Sequence, residues 1–469
     1  MTKPHDMLHE RLVEAIGAEA VKTEPEDLAV YAFDAYTSGG TPAAVALPAS
    51  TREVAAVVKI ANDCGEPIVA RGAGTGLCGG AVPVAGGVVI GTSRMNGVLE
   101  LDVRNRRVRV APGLINLDLS RSVKSDGLFY APDPASQKTS TIGGNIATNA
   151  GGPHCLSYGT TVNHVLALEV VDAAGEVFVT SVDDYGYDLT AVLTGSEGTL
   201  GIVTSAWVRL QRLPEATGVW VAAFGDIEAA SEAVSAIIAA GIVPTALEMM
   251  DRVIAAAVEA AFSAGYPTDA AAVLLIEQAG YAADIAACES AIAAIAKEHG
   301  AVSWRSARTQ AERDALWAGR KGAAGSTGRI APNYYTQDVC VPRSKLPAAL
   351  RTVEQVSREY GVTIGNVFHA GDGNLHPLMM YDKRDRRQVA AVVEGGNAIL
   401  QAAIDLGGTI SGEHGIGFEK RGAMTRVYTT EDLATMARVR DVFDPRRSLN
   451  PEKIFPAGTR CAETTAPPA

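Results

Sequence analysis

The segment from Arg71 to Ala81 constrains the fold more than any other, because it holds five glycines directly after a predicted strand, in the run RGAGTGLCGGA. Glycine tolerates positive φ and lets the backbone approach a ligand closely, so consecutive N–H groups can converge on a pyrophosphate. A Rossmann-type NAD loop must also open a helix, with an acidic residue about twenty positions later. The sequence that follows, LCGGAVPVAGG, cannot form that helix. We therefore expect a phosphate-binding loop of another kind, and the alternative is a mobile surface loop.

Two further glycine-rich segments follow. Residues 132–152, PDPASQKTSTIGGNIATNAGG, combine small and backbone-capping side chains with very little charge. A solvated linker of that length would carry more charge, so a buried cofactor channel is the better interpretation. Residues 195–204, GSEGTLGIVT, join a predicted helix to a predicted strand. Each segment alone is weak evidence, but the three in this order indicate a cofactor-binding domain.

Length and charge narrow the class of protein. A chain of 469 residues is too long for one ordinary core, so two or three domains are expected. A formal net charge of −12 argues against nucleic acid or an anionic membrane as the main partner. The first residues contain no apolar run, which predicts no signal peptide, and no stretch is apolar enough to span a bilayer. We expect a cytoplasmic protein, with peripheral docking at the inner face of the membrane left open.

The six cysteines include no CxxC pair, since the two that are nearest in sequence are Cys64 and Cys78. This spacing excludes the usual iron–sulfur and zinc-ribbon motifs. Isolated thiols in a reducing compartment are expected instead.

Hydrophobic periodicity divides the chain near Pro214. Before it, residues from about 8 to 35 look helical, a strand–helix–strand unit begins at Ala44, and residues 131–160 show little regular structure. After it, three β-α-β units suit an α+β domain whose largely antiparallel sheet is covered by helices on one face. The polar tail CAETTAPPA is expected to be disordered.

Three of the eight histidines lie in two short motifs, VFHAGDGNLHP and GEHG. In the first, apolar runs flank Gly-Asp-Gly-Asn, which is a strong hairpin signal. With Asp372 and Gly373 as the two turn residues, His369 would lie directly opposite His376, with Cβ atoms roughly 5 Å apart. Both imidazoles could then bind one divalent ion, zinc, manganese or iron(II), with Glu413 as third ligand and open positions for catalysis. The alternative is a pair of structural core histidines.

His414 is a candidate general base. Neighbouring side chains usually point apart, so His414 should not bind the ion that Glu413 binds. Coordination would lower the pKa of a substrate hydroxyl, and His414 would remove its proton. An imidazole with an unperturbed pKa of about 6.5 suits that role near neutral pH.

Arg320 follows Trp317 on a predicted helix and is a candidate for binding a substrate carboxylate. A planar guanidinium can hold a carboxylate through two parallel hydrogen bonds. The alternative is a solvated basic patch that includes Lys321.

The three glycine-rich segments together resemble the flavin-binding half of the vanillyl-alcohol oxidase and p-cresol methylhydroxylase superfamily. Within it, VFHAGDGNLHP and ISGEHGIGFEK are similar to the C-terminal FAD-linked oxidase domain of glycolate oxidase D subunits and D-lactate dehydrogenases. The similarity runs from about Leu47 to Pro456. It implies an α+β fold with a two-lobed FAD-binding domain (residues 1–215), a cap domain with a seven-stranded type of antiparallel sheet (216–405), a segment that returns to the flavin (406–456) and a disordered tail (457–469).

The resemblance implies FAD as cofactor. Some relatives attach FAD through a histidine in the first glycine loop, and this loop has none, so non-covalent binding is expected. Cys78 and His154 lie inside flavin motifs, and packing roles are expected for both. The residues predicted to bind FAD are Arg71, Gly72, Gly74, Thr75, Gly76, Leu77, Gly79, Gly80, Pro132, Asp133, Ser140, Thr141, Gly143, Gly144, Asn145, Thr148, Gly152, Glu197, Gly201, Ile202 and Asn450.

The activity that the resemblance implies is oxidation of a small D-2-hydroxy acid to the 2-oxo acid, by hydride transfer to flavin N5. Relatives use an arginine at the position of Arg320 for the substrate carboxylate. Relatives that act on 2-hydroxyglutarate have a lysine where this chain has Thr336, so glycolate or D-lactate is the expected substrate. The alternatives are a dehydrogenase of D-2-hydroxyglutarate or another 2-hydroxy acid, an oxidase of a bulkier alcohol or phenol, and a non-catalytic flavin-binding subunit.

Because no cysteine motif can hold a cluster, electrons are expected to leave to an external acceptor. An iron–sulfur subunit, a quinone or a cytochrome would each serve. A homodimer or a multi-subunit oxidase complex is the expected assembly.

Overall fold

The computed structural model describes residues 4–35 and 39–456, and the chain forms two compact units. The first comprises the residues up to Gly151, Thr160–Leu213 and the chain from Glu413 onwards, and the second comprises Gly152–Gly159 and Pro214–Gly412. The second unit thus ends later than the predicted cap and also includes a short excursion from the first. The predicted tail, 457–469, lies outside the described residues.

The helices and strands up to residue 212 alternate in short segments. In chain order they are α1 (Pro4–Ile16), β1 (Val21–Lys22), α2 (Pro25–Tyr31), β2 (Ala44–Ala46), α3 (Thr51–Cys64), β3 (Ile68–Arg71), β4 (Val88–Gly91), β5 (Val98–Asp102), β6 (Arg107–Val110), α4 (Asn116–Ser122), β7 (Leu128–Phe129), α5 (Ile142–Thr148), α6 (Cys155–Tyr158), β8 (Val165–Val171), β9 (Val177–Ser181), α7 (Leu189–Leu193), β10 (Ile202–Arg209) and β11 (Gln211–Arg212).

Most of the remaining elements are longer. They are β12 (Ala216–Phe224), α8 (Ile227–Ala239), β13 (Ala246–Asp251), α9 (Arg252–Phe262), β14 (Ala272–Gly280), α10 (Ala282–Glu298), β15 (Ala301–Ser306), α11 (Gln310–Lys321), α12 (Ala323–Ser326), β16 (Asn333–Thr336), β17 (Val339–Cys340), α13 (Leu346–Tyr360), β18 (Thr363–His369), β19 (Asn374–Tyr381), α14 (Arg386–Asp405) and α15 (Thr430–Phe443). None of the helices in the described ranges has the length and hydropathy that a bilayer span requires.

The first sheet has the order β1-β2-β4-β3, in which β2, β4 and β3 are parallel. Helix α3 connects β2 to β3. It begins at Ser50, whose side chain accepts a hydrogen bond from the Glu53 N–H, and it ends at Gly65, which has a φ of 72°. Strand β3 ends at Arg71, so the first glycine loop starts at the carboxyl edge of the parallel strands, where open α/β sheets bind ligands.

Two sequence-based predictions for the first unit were wrong. Residues 8–35 are not one helix, because Gly17 has a φ of 87° and β1 pairs with β2 before α2 begins. Residues 131–160 are not irregular throughout, because they contain α5 and α6. Helix α5 has only seven residues, too few for hydrophobic periodicity to reveal it. Thr141 caps its start, and Asn149, with a φ of 49°, ends it.

The second sheet of this unit is antiparallel, in the order β5-β6-β10-β8-β9. Its core contains Leu168, Val208 and Ile146, the last from α5. The second glycine-rich segment is therefore attached to this sheet.

The second unit is built on one eight-stranded sheet, in the order β15-β12-β14-β13-β18-β19-β16 with β17 added beside β19. Its pairings are antiparallel, as predicted. The count exceeds the seven implied by the resemblance.

Helices cover both faces of this sheet, so the prediction of one covered face was wrong. Val219 shares a core cluster with Ile254 of α9. A Cβ at the preceding residue, Gly218, would lie 2.8 Å from Ile285 of α10. Successive strand residues face opposite sides, so α9 and α10 lie on opposite faces. The continuous apolar runs of β12 and β14 are typical of strands buried on both sides.

Candidate active site

The first glycine loop leaves β3 at Arg71, whose side chain stays within the same unit. Its guanidinium donates a hydrogen bond of 2.7 Å to the carbonyl of Phe33. Gly74 lies against the guanidinium with a φ of 69°, and any Cβ there would collide with it. Among the described residues, the N–H groups of Gly74 and Gly76 donate no backbone hydrogen bond. Arg71 thus shapes the loop, and these N–H groups can receive an anion.

The second glycine-rich segment packs against this loop. Thr141 accepts a hydrogen bond of 3.2 Å from the Gly144 N–H at the start of α5. A Cβ at Gly72 would overlap the Thr141 hydroxyl, and a Cβ at Gly143 would lie 2.7 Å from Cβ of Pro112. Only glycine permits these approaches. The two segments form a cradle lined by backbone, which fits the pyrophosphate of a dinucleotide.

The C-terminal segment of the same unit also holds the loop. The Glu197 carboxylate accepts hydrogen bonds of 2.7 Å from the N–H groups of Ile416 and Gly417. The Asn450 side chain donates to the carbonyls of Gly80 (2.9 Å) and Glu197 (2.7 Å). Burial raises the pKa of Glu197, and the two N–H donors act against that rise. Glu197 and Asn450, both predicted to bind FAD, therefore use these side chains to position the loop.

The other predicted cofactor residues are distributed over both units. The Thr148 hydroxyl donates to the Gly144 carbonyl at 3.2 Å, and a Cβ at Gly201 would lie 2.5 Å from Val170. Gly152 belongs to the second unit. The rest lie in the first unit, Asn145 in α5 and the others in loops or at the start of β10: Thr75, Leu77, Gly79, Pro132, Asp133, Ser140 and Ile202.

His369 and His376 lie on the neighbouring strands β18 and β19, but they are not directly opposite each other. The register pairs His369 with Asn374, and Val367 with His376, so the predicted pairing was wrong. The shift is two residues, which leaves both histidines on the same face of the sheet. Their ring centroids are 5.2 Å apart, and one ring nitrogen of each lies within 4.8 Å of the other.

The turn explains the difference in register. Four residues, 370–373, connect the two strands, where two were predicted. A two-residue type I′ turn needs positive φ at both central residues. Of Asp372 and Gly373, only Gly373 has positive φ, at 73°.

A buried carboxylate, Glu248 in β13, joins His369 to Arg320. Its side chain is 1% exposed, forms an ion pair with Arg320, and has its two oxygens 2.9 and 3.0 Å from His369 Nδ1. Burial acts to raise the pKa of Glu248, but the charges of Arg320 and His369 outweigh it and the pKa is lowered. The ionised carboxylate orients the imidazole so that Nδ1 faces it and Nε2 faces away.

Arg320 is part of this buried group and not of a solvated basic patch. It lies in the last turn of α11 and is 6% exposed. Buried guanidinium groups are almost always paired, and Glu248 provides that pairing.

Asp338, just after β16, organises the surroundings of His376. Its fully buried carboxylate accepts hydrogen bonds from the Asn374 side chain (2.7 Å), the Ser411 hydroxyl (2.8 Å) and the Gly412 N–H (3.1 Å). One of its oxygens lies 3.8 Å from His376 Nδ1. Each of the two histidines thus has a carboxylate near Nδ1.

Glu413 and His414 begin the C-terminal segment of the first unit. They directly follow Gly412, which Asp338 holds by its N–H. Asp338 therefore holds the backbone at Gly412, directly before the two predicted site residues Glu413 and His414.

A second buried acid in the cap, Glu277 of β14, binds two other side chains. It accepts a hydrogen bond of 2.5 Å from the Trp317 indole, and its other oxygen lies 3.0 Å from His154 Nε2. His154 therefore has a packing contact within the second unit.

Glu248 and Asp338 were not predicted as site residues. Glu248 is the lone acid in TALEMM, and Asp338 is the lone acid in TQDVCV, between β16 and β17. Acids at such buried positions need a cationic or hydrogen-bonding partner, so they were detectable as candidates. Their partners come from distant parts of the chain, and nothing in the sequence pattern identifies them.

Two family descriptions match the chain: "FAD binding domain" over residues 42–181 and "FAD linked oxidases, C-terminal domain" over residues 213–454. The chain belongs to the FAD-linked oxidase family. This FAD-linked oxidase is 42% identical over 451 residues to the glycolate oxidase subunit GlcD of Escherichia coli (strain K12), covering 95% of this chain and 90% of that protein. It is 34% identical over 447 residues to the D-lactate dehydrogenase of Archaeoglobus fulgidus, covering 90% and 95%.

The fold of this FAD-linked oxidase matches that of p-cresol methylhydroxylase with substrate bound, with a TM-score of 0.81 at 16% identity over 97% of each chain. The predicted α+β fold of that superfamily is confirmed, and so is the family resemblance. As an FAD-linked oxidase, the chain is an oxidoreductase and a flavoprotein. The backbone cradle around Gly72 and Gly143 fits FAD.

Proposed function

We propose that this FAD-linked oxidase is a dehydrogenase that oxidises a small D-2-hydroxy acid, glycolate or D-lactate, to the 2-oxo acid. The names of two relatives, a glycolate oxidase subunit and a D-lactate dehydrogenase, support this substrate class. The observation that carries the proposal is the buried group of Arg320, Glu248 and His369. It puts a cation suited to a carboxylate next to an imidazole suited to a metal ion.

We assign the metal ligands to His369, His376 and Glu413. When bound, FAD supplies a two-electron acceptor and a divalent zinc, manganese or iron ion supplies a Lewis acid. The imidazole pair fits such an ion, because one ring nitrogen of each lies within 4.8 Å of the other. A carboxylate near Nδ1 of each ring is the arrangement usual for metal-binding histidines.

His414 is proposed to remove the proton of the substrate hydroxyl. An imidazole can accept that proton near neutral pH, since its unperturbed pKa is about 6.5. His414 follows Glu413 directly, so the proposed ligand and the proposed base share one backbone segment. The hydrogen bond from the Gly412 N–H to Asp338 holds the start of this segment.

Arg320 is proposed to bind the single carboxylate of the substrate. Its guanidinium is buried and oriented by Glu248, so little conformational entropy remains to be lost on binding. Thr336 in β16 is buried, and its hydroxyl donates to the Gln337 carbonyl at 3.0 Å. Because a threonine at this position carries no positive charge, it cannot pair with the second carboxylate of D-2-hydroxyglutarate. We therefore expect D-2-hydroxyglutarate to be a poor substrate.

A substrate panel on anaerobic protein tests the assignment. We expect D-lactate or glycolate to bleach the flavin absorbance faster than L-lactate or D-2-hydroxyglutarate. Arg320→Lys keeps the charge but loses the planar fork, so kcat/KM for the preferred acid should fall roughly tenfold or more. Arg313→Lys, on the same helix with a hydrogen bond to Gln310, is the control and should leave kcat/KM unchanged. A preference for the dicarboxylate, or an Arg320→Lys protein as active as the wild type, contradicts the proposal.

FAD is proposed to be bound without a covalent link. The first glycine loop contains no histidine, and the Cys78 thiol donates a hydrogen bond to the Gly415 carbonyl at 3.0 Å. Acid precipitation should therefore release all the flavin into the supernatant, where its absorbance can be measured. Yellow colour that stays with the washed pellet would show a covalent attachment.

Electrons are proposed to leave to an external acceptor, an iron–sulfur subunit, a quinone or a cytochrome. No disulfide joins the cysteines in the described part of the chain, and none of them is close in sequence to another. The relative from Escherichia coli is named as a subunit, which supports a multi-subunit complex over a homodimer.

A further inference from the structure

Glu248 stands in a position that is costly for a carboxylate. It lies on a central strand of the eight-stranded sheet, between β14 and β18, with its side chain 1% exposed. Taking a charged carboxylate out of water is unfavourable unless other charges and hydrogen bonds compensate it. An apolar residue at this position would pack in the sheet without that loss of solvation free energy. The contacts of Glu248 should therefore show what the carboxylate does.

Its contacts go to two residues with different proposed roles. His369 comes from β18, the strand hydrogen-bonded to β13 with Met249 opposite Phe368. Arg320 comes from α11, which belongs to the layer on the α9 face of the sheet. Glu248 thus bonds both the proposed carboxylate-binding cation and a proposed metal ligand.

We propose that Glu248 is a positioning residue that sets the guanidinium of Arg320 and the imidazole of His369 in a fixed relation, so that metal binding and substrate-carboxylate binding depend on one shared carboxylate. This rests on the function proposed above. Glu248 itself touches neither the substrate nor the flavin in this scheme. It acts by holding Nδ1 of His369, which fixes the ring tautomer, and by restricting the rotamer of Arg320.

Geometry explains why one carboxylate can serve both partners. Both oxygens of Glu248 lie within 3.0 Å of His369 Nδ1, and the ion pair with Arg320 uses Oε2. A glutamine has only one acceptor oxygen, and its NH₂ group would face a donor on one side. An aspartate is one methylene shorter, so its carboxylate would be set back from both partners.

Glu277 provides a matched comparison within the same sheet. It is also a mostly buried acid, on the adjacent strand β14, and it also binds a residue of α11, Trp317, together with a histidine, His154. Its partners, Trp317 and His154, are neither proposed metal ligands nor proposed substrate-binding residues. A Glu277→Gln variant therefore removes a buried carboxylate from the same sheet while Glu248, Arg320 and His369 are all retained.

The test measures Zn²⁺ affinity of the FAD-loaded protein by competition with a chromophoric chelator, and kcat and KM for D-lactate, in wild type, Glu248→Gln, Glu248→Asp and Glu277→Gln. We expect Glu248→Gln to weaken Zn²⁺ binding about 10- to 100-fold and to raise KM for D-lactate as well, with FAD content retained. Glu277→Gln should keep the Zn²⁺ affinity within about twofold of the wild type. If Glu248→Gln does not fold, the same two measurements are made on Glu248→Asp, which keeps the buried charge. Zn²⁺ affinity and KM for D-lactate should then both change.

The outcomes separate this inference from the proposed function. A wild-type protein that takes up no Zn²⁺, Mn²⁺ or Fe²⁺ would overturn the metal assignment, and the inference with it. A wild type that binds Zn²⁺, with folded Glu248 variants that bind it equally well, would overturn the inference alone. A rise in KM for D-lactate without any change in Zn²⁺ affinity would also overturn it, because Glu248 would then serve only Arg320.

Discussion

Replacing His376 with alanine is expected to lower kcat/KM for the preferred acid by about a thousand-fold or more, while the protein keeps its FAD. The proposed metal ion polarises the substrate hydroxyl, and losing such a Lewis acid costs several kcal/mol of transition-state stabilisation. His376 belongs to the cap sheet, whereas the glycine cradle belongs to the other unit, so flavin binding should be unaffected. Exhaustive dialysis of the wild type against a chelator should have the same effect, and added Zn²⁺, Mn²⁺ or Fe²⁺ should reverse it.

His299→Ala is the control for this experiment. His299 lies in the same unit, at the C-terminal end of α10, and its Nδ1 is 4.0 Å from a carboxylate oxygen of Glu232. Its loss should leave both activity and metal content unchanged. Full turnover in metal-free wild-type protein, or in His376→Ala, would refute the metal role and leave the histidine pair as a structural feature of the hairpin.

The second large effect is expected at Gly417, in the C-terminal segment. This residue has a φ of 52°, and a Cβ there would lie 2.8 Å from the carbonyl carbon of Cys78 and closer still to its oxygen. Gly417→Ala must shift the backbone, which breaks the hydrogen bond from its N–H to the buried Glu197 carboxylate. We expect a loss of at least about 2 kcal/mol in the free energy of unfolding, together with weaker FAD retention.

Gly422→Ala is the matched control, because a Cβ at Gly422 has no atom within 4 Å. Urea denaturation and flavin release during gel filtration measure the two effects separately. If both alanine variants were as stable as the wild type, the close approach of the C-terminal segment to the Cys78 carbonyl would not hold in solution.

The sequence was sufficient for the family, the α+β fold and the proximity of the two cap histidines. Each glycine-rich motif is a continuous segment of sequence, so it indicates a cofactor-binding loop whatever the arrangement of the surrounding strands. The hairpin was also local, but its register depends on the backbone conformation of Asp372, which is not left-handed. A single residue that does not adopt the expected φ changed the turn from two residues to four.

Contacts between distant segments could not be predicted. Glu248 meets Arg320 and His369 only because β13 pairs with β18 and α11 packs above them. Hydrophobic patterns also conceal which faces of a sheet are covered, since β12 and β14 read as uniformly apolar. The hydrogen bond from the Arg71 guanidinium to the Phe33 carbonyl is another contact between distant segments, and FAD binding by Arg71 stays a prediction.

The bonds between Glu197 and the N–H groups of Ile416 and Gly417 span about half of the chain in sequence. During synthesis, the first glycine loop leaves the ribosome long before the segment that completes its support, with the whole cap domain made in between. Domains generally fold as units as they emerge, so the cap has time to form while the flavin-binding unit is still incomplete. In the nascent chain, the Glu197 carboxylate therefore lacks the N–H donors of Ile416 and Gly417 until those residues have been made. The cradle for FAD can be completed only near the end of translation.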